Sequence, residues 1–268
     1  MNKILNKIFI LFLFLFFNSC NEYQKVLRND DVKLKYEMAE SFYKKNEWRK
    51  ASALFEQIQP NYRGKPQGER ITYFYANSLL ETKNYVLAAY QFENFIKSYP
   101  ISQKVEEAAF LSALCAYKQS PRYSLDQDLT TDAINKLQSF INSYPYSDRL
   151  SEANKLVQEL RIKLEKKAFQ IAKQYNTIRD YKSAIKVLNS FISDFPGTTL
   201  REDALYFLFD SSYLLAINSV ESKKNNRLLE SKKIYEELIN DYPDSKYIAD
   251  LKKRILLLDK EIAIFATN

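Results

Sequence analysis

The stretch Phe140-Ile141-Asn142-Ser143-Tyr144-Pro145 is written four times in this chain with small changes, as FINSYP here, FIKSYP at Phe95 to Pro100, FISDFP at Phe191 to Pro196 and LINDYP at Leu238 to Pro243. Twelve residues before each proline stands a small residue (Ala88, Ala133, Ala184, Ser231), and eight before it a large one (Phe92, Leu137, Leu188, Tyr235). Apolar residues at offsets of 4, 7 and 8 from the small one share a helix face, and the proline stops the helix. Ala51, Phe55 and Ile58 keep the same spacing upstream, with Arg63 at the proline position. A second small residue lies twelve before the first at Ala39, Ala76 and Ala172, and twenty before it at Ala113. The spacing therefore predicts pairs of helices packed through small residues.

This pattern resembles the tetratricopeptide repeat, a helix-turn-helix of about 34 residues that stacks into a solenoid. The expected fold is all-α, with about five repeats. Tyr36, Ala39 and Phe42 open the first, whose second helix carries Trp48, Ala51, Phe55 and Ile58. Trp48 precedes Ala51 as Tyr85 precedes Ala88 and Tyr181 precedes Ala184, so it reads as a packing residue and not as a ligand contact. Tyr62-Arg63-Gly64-Lys65-Pro66 is a turn by composition. Apolar residues in steps of three and four from Leu150 to Tyr175 predict one long helix, on the order of 40 Å at 1.5 Å per residue. An insertion is expected near Asn218 to Arg227, and a closing helix from Tyr247 to about Phe265 covers the last apolar face. The organisation is then a leader at 1–19, a short linker at 20–29, a front half of three repeats at 30–147, and a rear half at 148–268 with the long helix, two repeats and the closing helix.

Lys3 and Lys7 precede an apolar run, Ile8 to Phe17, followed by Asn18-Ser19-Cys20. The run is too short to span a bilayer and reads as an export signal. A small residue before a cysteine resembles a lipobox, in which Cys20 is acylated and begins the mature chain; Phe17 and Asn18 depart from its usual pattern. Losing residues 1–19 removes Lys3 and Lys7, so a formal charge of +7 falls to +5. With basic and acidic residues interleaved along the helices, this excess describes a solvated surface and no nucleic-acid stripe. Cys115 would be the remaining thiol, read as a small core residue.

The chain has no histidine, and its three glycines are Gly64, Gly68 and Gly197. Imidazole metal sites, His-based triads, phosphate-cradling loops and dinucleotide fingerprints are excluded, and no cofactor or enzymatic activity is expected.

The signal with its lipobox, the repeats, Tyr62-Arg63-Gly64, the long helix and the third-repeat loop, Ser120-Pro121-Arg122 to Leu125-Asp126-Gln127, are together similar to the BamD family of outer-membrane β-barrel assembly lipoproteins. The resemblance implies a scaffold anchored on the periplasmic side of the outer membrane of a Gram-negative cell. It implies rear repeats that bind the periplasmic domains of a barrel subunit, and a front groove that binds unfolded outer-membrane proteins. In the repeat family the groove is lined by three positions of each first helix. Mapped here, these are Tyr36, Glu40 and Tyr43; Tyr73, Asn77 and Leu80; and Phe110, Leu114 and Tyr117. Some of these aromatics are equally suited to packing between repeats. The residues alone support an exported helical scaffold, which leaves open a repeat lipoprotein coordinating cell-wall synthesis, or a glycan-binding outer-membrane lipoprotein.

Overall fold

In the computed structural model, which describes residues 22–266, the described residues are almost entirely helical. After a helical segment at 22–28, the helices are α1 (Val32–Lys44), α2 (Trp48–Ile58), α3 (Pro66–Glu81), α4 (Tyr85–Ser98), α5 (Val105–Gln119), α6 (Asp128–Ser143), α7 (Leu150–Thr177), α8 (Tyr181–Asp194), α9 (Arg201–Ile217), α10 (Glu221–Asp241) and α11 (Ile248–Ala266). Consecutive helices pack in antiparallel pairs, the tetratricopeptide-like arrangement that the spacing of small residues predicts. Ala39, Ala51, Ala76, Ala88, Ala133, Ala172, Ala184 and Ser231 are all completely buried. A methyl or hydroxymethyl group at these crossings lets the backbones approach while larger neighbours such as Phe55, Phe92 and Leu188 fill the flanks.

The four repeated phrases end their helices in the same way. Tyr99, Tyr144, Phe195 and Tyr242 follow the last helical residue with φ between −136° and −124° and ψ between 57° and 71°. Each donates its N–H to the carbonyl four residues back, on Phe95, Phe140, Phe191 and Leu238. The residue before a proline is sterically pushed out of the helical region, so the phrase itself writes the stop. In the first repeat, where Arg63 replaces the proline, a 3₁₀ turn at Gln59–Tyr62 and Gly64 at φ +74° make the exit, and Pro66 starts α3. The tight turns inside repeats place Asn46, Lys83 and Arg179 at φ of 61° to 66°, the left-handed position that commonly ends a helix.

The chain divides into two compact units, residues up to Pro121 with Gln127–Leu160, and Arg122–Asp126 with the residues from Arg161 onward. In the first unit α1 to α6 stack pairwise, and Ala153, Leu156, Val157 and Leu160 of α7 cover the end of the core. In the second, Phe169 and Ala172 of α7 pack with α8 to α11, and Leu251 and Leu258 of α11 are fully buried. The segment expected as an insertion near Asn218 to Arg227 is mostly helix. Only Asn218 to Val220 link α9 and α10, and the rest extends α10 N-terminally, because Lys, Asn, Arg and Glu are all good or adequate helix formers on an exposed turn. Cys115 is buried and unpaired, and burial pushes its thiol up to about 12, consistent with a packing role.

Candidate functional site

The first helices of repeats 1 to 3 are α1, α3 and α5, and over α3, flanked by Tyr43 of α1 and by Lys104 and Glu107 at the start of α5, opens a cleft of about 500 Å³. Its apolar floor is Tyr43, Tyr73, Phe74 and Phe95; its rim is Glu69, Arg70, Lys104 and Glu107, with Asn77 at one end. Tyr43 and Phe74 stack with centroids 4.0 Å apart, and Asn77 Nδ2 donates to the Tyr43 hydroxyl at 2.7 Å. Tyr43 thus joins repeat 1 to repeat 2 while lining the cleft. Trp48 meets the same ring edge-on at 5.0 Å.

Charge is arranged as paired ions over aromatic rings. Arg70 reaches Glu40 at 3.1 Å and lies 5.0 Å from the Phe74 ring centre; Lys104 reaches Glu107 at 2.7 Å and lies 5.4 Å from Tyr73. Both cations are about half exposed, at 50% and 55% of their side chains. Burial alone would raise the Glu107 carboxyl, but hydrogen bonds from Lys104 and Tyr73, with the charges of Lys104 and Arg149, hold it below the usual carboxylate range. Burial and the hydrogen bond to Glu107 push the Tyr73 hydroxyl up in turn.

Of the nine residues expected along the groove, Tyr43, Tyr73 and Asn77 line this cleft. Tyr36 and Glu40 adjoin it, hydrogen-bonded to each other and tied to it by Arg70. Leu80 and Leu114 are partly buried against the core. Tyr117 stands apart and donates to Glu159 at 2.5 Å, which raises its hydroxyl to about 12. Phe110 is not a wall residue: it is 1% exposed, packed edge-on against Phe140 at 5.4 Å and under the Arg149 guanidinium at 4.7 Å. Its ring fills the bottom of the third repeat because α6 and the start of α7 close over it. Phe74 falls between the mapped positions, Arg70 lies three residues before Tyr73, and Glu107 and Lys104 lie three and six before Phe110. A repeat template alone does not select them.

The third-repeat loop is held at its two ends. Ser120 and Thr130 hydroxyls lie 2.6 Å apart, and Thr130 donates to Gln127 Oε1 at 2.8 Å. Its middle belongs to the second unit, where Lys166 lies 4.5 Å from the Tyr123 ring and Lys167 donates to the Leu125 carbonyl at 2.7 Å. Pro121 is half-buried, whereas Arg122, Leu125 and Asp126 are exposed. Cys20 lies outside the described residues. Among the described residues no helix is long and apolar enough to cross a membrane.

The sequence profile of the YfiO family, described as outer membrane lipoprotein, matches residues 28–228 and 175–266. The putative outer membrane protein assembly factor BamD of Aquifex aeolicus (strain VF5) is 29% identical over 254 residues, covering 92% of this chain and 81% of that protein.

Proposed function

Since the chain belongs to the YfiO family of outer membrane lipoproteins, we propose that it is a scaffold subunit for the assembly of β-barrel proteins in that membrane. On this reading it is acylated at Cys20 and faces the periplasm. The rear repeats hold the periplasmic domains of a barrel subunit, and the front cleft takes extended segments of unfolded outer-membrane proteins. No step of this work calls for catalysis.

The cleft over α3, between Tyr43 of α1 and the start of α5, carries the reading. The exposed ring surface of Tyr43, Tyr73 and Phe74 beside two half-exposed, ion-paired cations suits a strand-like segment with aromatic residues, whose side chains anchor while its acidic groups compete with Glu40 and Glu107 for Arg70 and Lys104. Affinity purification from membranes tests the scaffold role: a large β-barrel protein should co-isolate with the chain, and its absence would overturn the role. Titration of the mature chain with peptides ending in an aromatic residue tests the cleft. Arg70→Glu with Lys104→Glu should weaken binding at least tenfold, about 1.4 kcal/mol. Unchanged affinity in that variant would remove the cleft from the reading.

A further inference from the structure

On the reading above the chain is attached to the membrane through Cys20, and residue 22 already belongs to a helical segment docked on repeat 1. Two residues at roughly 3.3–3.6 Å each give a reach of at most about 7 Å. Val26, 6% exposed, and Tyr23, whose ring meets Phe42 edge-on at 5.5 Å and lies 5.8 Å from Lys50 Nζ, fix the docking. Phe42 and Lys50 flank the turn from α1 to α2. The acyl group is therefore delivered at the edge of the first unit that carries the turns within repeats, and the tether is too short to hold that edge far from the lipid.

The edge has the chemistry of a membrane surface contact. Lys44, Lys45 and Arg49 at the first turn and Lys83 at the second are exposed and have no ion-pair partner among the described residues. Of the acids there, Glu47 is bridged by Lys50 at 2.5 Å, which leaves Glu81. Between the turns lies a depression of about 540 Å³ with Trp48, Arg49, Thr82 and Lys83 on its walls. Val86, 69% exposed, projects from the first turn of α4 beside it. Partly exposed tryptophan, a bare valine and four unpaired cations match the headgroup region of a bilayer, where tryptophan sits at the interface and lysine and arginine meet anionic lipid.

We infer that this turn edge is a second membrane contact, in which Lys44, Lys45, Arg49 and Lys83 bind the headgroups of anionic phospholipid with Trp48 at the interface. The inference rests on the Cys20 anchor. The acyl chains hold the protein on the membrane, and the turn edge fixes which way it faces.

Trp48 is the single tryptophan of the chain and so reports on its own environment. The acylated protein is reconstituted into vesicles of phosphatidylethanolamine with or without phosphatidylglycerol, each carrying lipid brominated near the headgroup. Trp48 emission should fall by about half in the anionic vesicles, consistent with an interfacial indole, and recover in ~1 M salt, where the screening length shrinks to about 3 Å. The variant with all four cations changed to glutamate should keep its helical circular dichroism, float with the vesicles and lose the quenching. A wild-type protein that floats without quenching, or a variant quenched like the wild type, overturns the contact and leaves the anchor standing. A protein that does not float overturns the anchor and the contact together.

Discussion

Gly68→Ala sets two effects against each other at the entry to α3. Replacing a helical glycine by alanine ordinarily stabilises by up to about 1 kcal/mol through backbone entropy and propensity. A Cβ at Gly68, however, would stand 2.3 Å from the Tyr62 carbonyl oxygen and 2.6 Å from the Tyr99 hydroxyl. The tyrosine hydroxyl can swing aside, but the carbonyl is backbone. It accepts the Lys65 N–H at 3.0 Å in the turn that leads to Pro66, so relief requires moving that turn. Overpacking of this kind costs roughly 1–3 kcal/mol, with about 1 more if the turn bond is lost, and outweighs the propensity gain. The net expectation is destabilisation by about 1–3 kcal/mol, a fall of about 1 M in the urea midpoint at an m of 1–3 kcal/mol per molar. Trp48 fluorescence follows the first unit specifically, which matters because two compact units need not unfold together. Gly197→Ala is the control, since nothing lies within 4 Å of its added Cβ; it lies in the second unit, so it is followed by helical circular dichroism and should stay within about 0.5 kcal/mol of wild type. A Gly68→Ala protein as stable as wild type, or more stable, would refute the close approach of the 59–62 turn to α3.

In the second unit, Asp210 is 7% exposed and held by Arg254 and by Asn176 at 2.7 Å, so Arg254→Met should destabilise by about 3 kcal/mol, the cost of leaving a buried charge without its partner. Hydrogen exchange in α11 should accelerate accordingly, and Asp210→Asn added to Arg254→Met should restore part of the loss; unchanged exchange would make the pair a surface feature. Ala88→Arg and Ala184→Arg, at completely buried crossings, should each cost about 3 kcal/mol or more and visibly lower the melting temperature. The Glu107 carboxyl is held below its ordinary 4.5, so the stability it contributes is complete above that pH and is lost as pH falls through the lower folded value. Glu107→Gln should therefore flatten the acid limb of a stability-against-pH curve by lowering its neutral plateau toward the acid value.

The helical stripe was legible because burial at a 3.6-residue period leaves its own trace, and the exits were legible because proline acts on the residue before it. Both are local. Cross-repeat chemistry is not, since which side chain of α1 meets which of α3 depends on the turn of one repeat against the next. Hence Tyr43 and Tyr73 could be assigned to one wall by mapping the repeat family's groove positions, whereas Arg70 and Lys104, three and six residues before the nearest mapped positions, could not. Phe110 was misplaced for the same reason: its template position is a wall position, but the closing residues Phe140 and Arg149 come from later elements and cover it. The extension of α10 was hidden because residues 221–227 carry no apolar stripe; it is helical through continuity with a segment that does.

The hydrogen bonds of the tyrosines along the proposed groove, including Tyr117 outside the cleft, constrain how the groove would recognise a chain on the proposed reading. Tyrosine on a groove wall invites the idea that its hydroxyl serves the peptide backbone, yet here the Tyr36 hydroxyl is bound to Glu40, that of Tyr43 to Asn77, that of Tyr73 to Glu107 and that of Tyr117 to Glu159. A ligand using them would first have to displace partners of which three are carboxylates, and bonds to charged groups are the stronger ones. What is left is exposed ring surface and the half-exposed guanidinium and ammonium groups, each already paired with one carboxylate, Glu40 or Glu107. Apolar contact against rings is tolerant of sequence and the cations ask only for negative charge, so such a cleft selects by composition. That suits a scaffold that has to receive many different extended segments better than one built to read a single sequence.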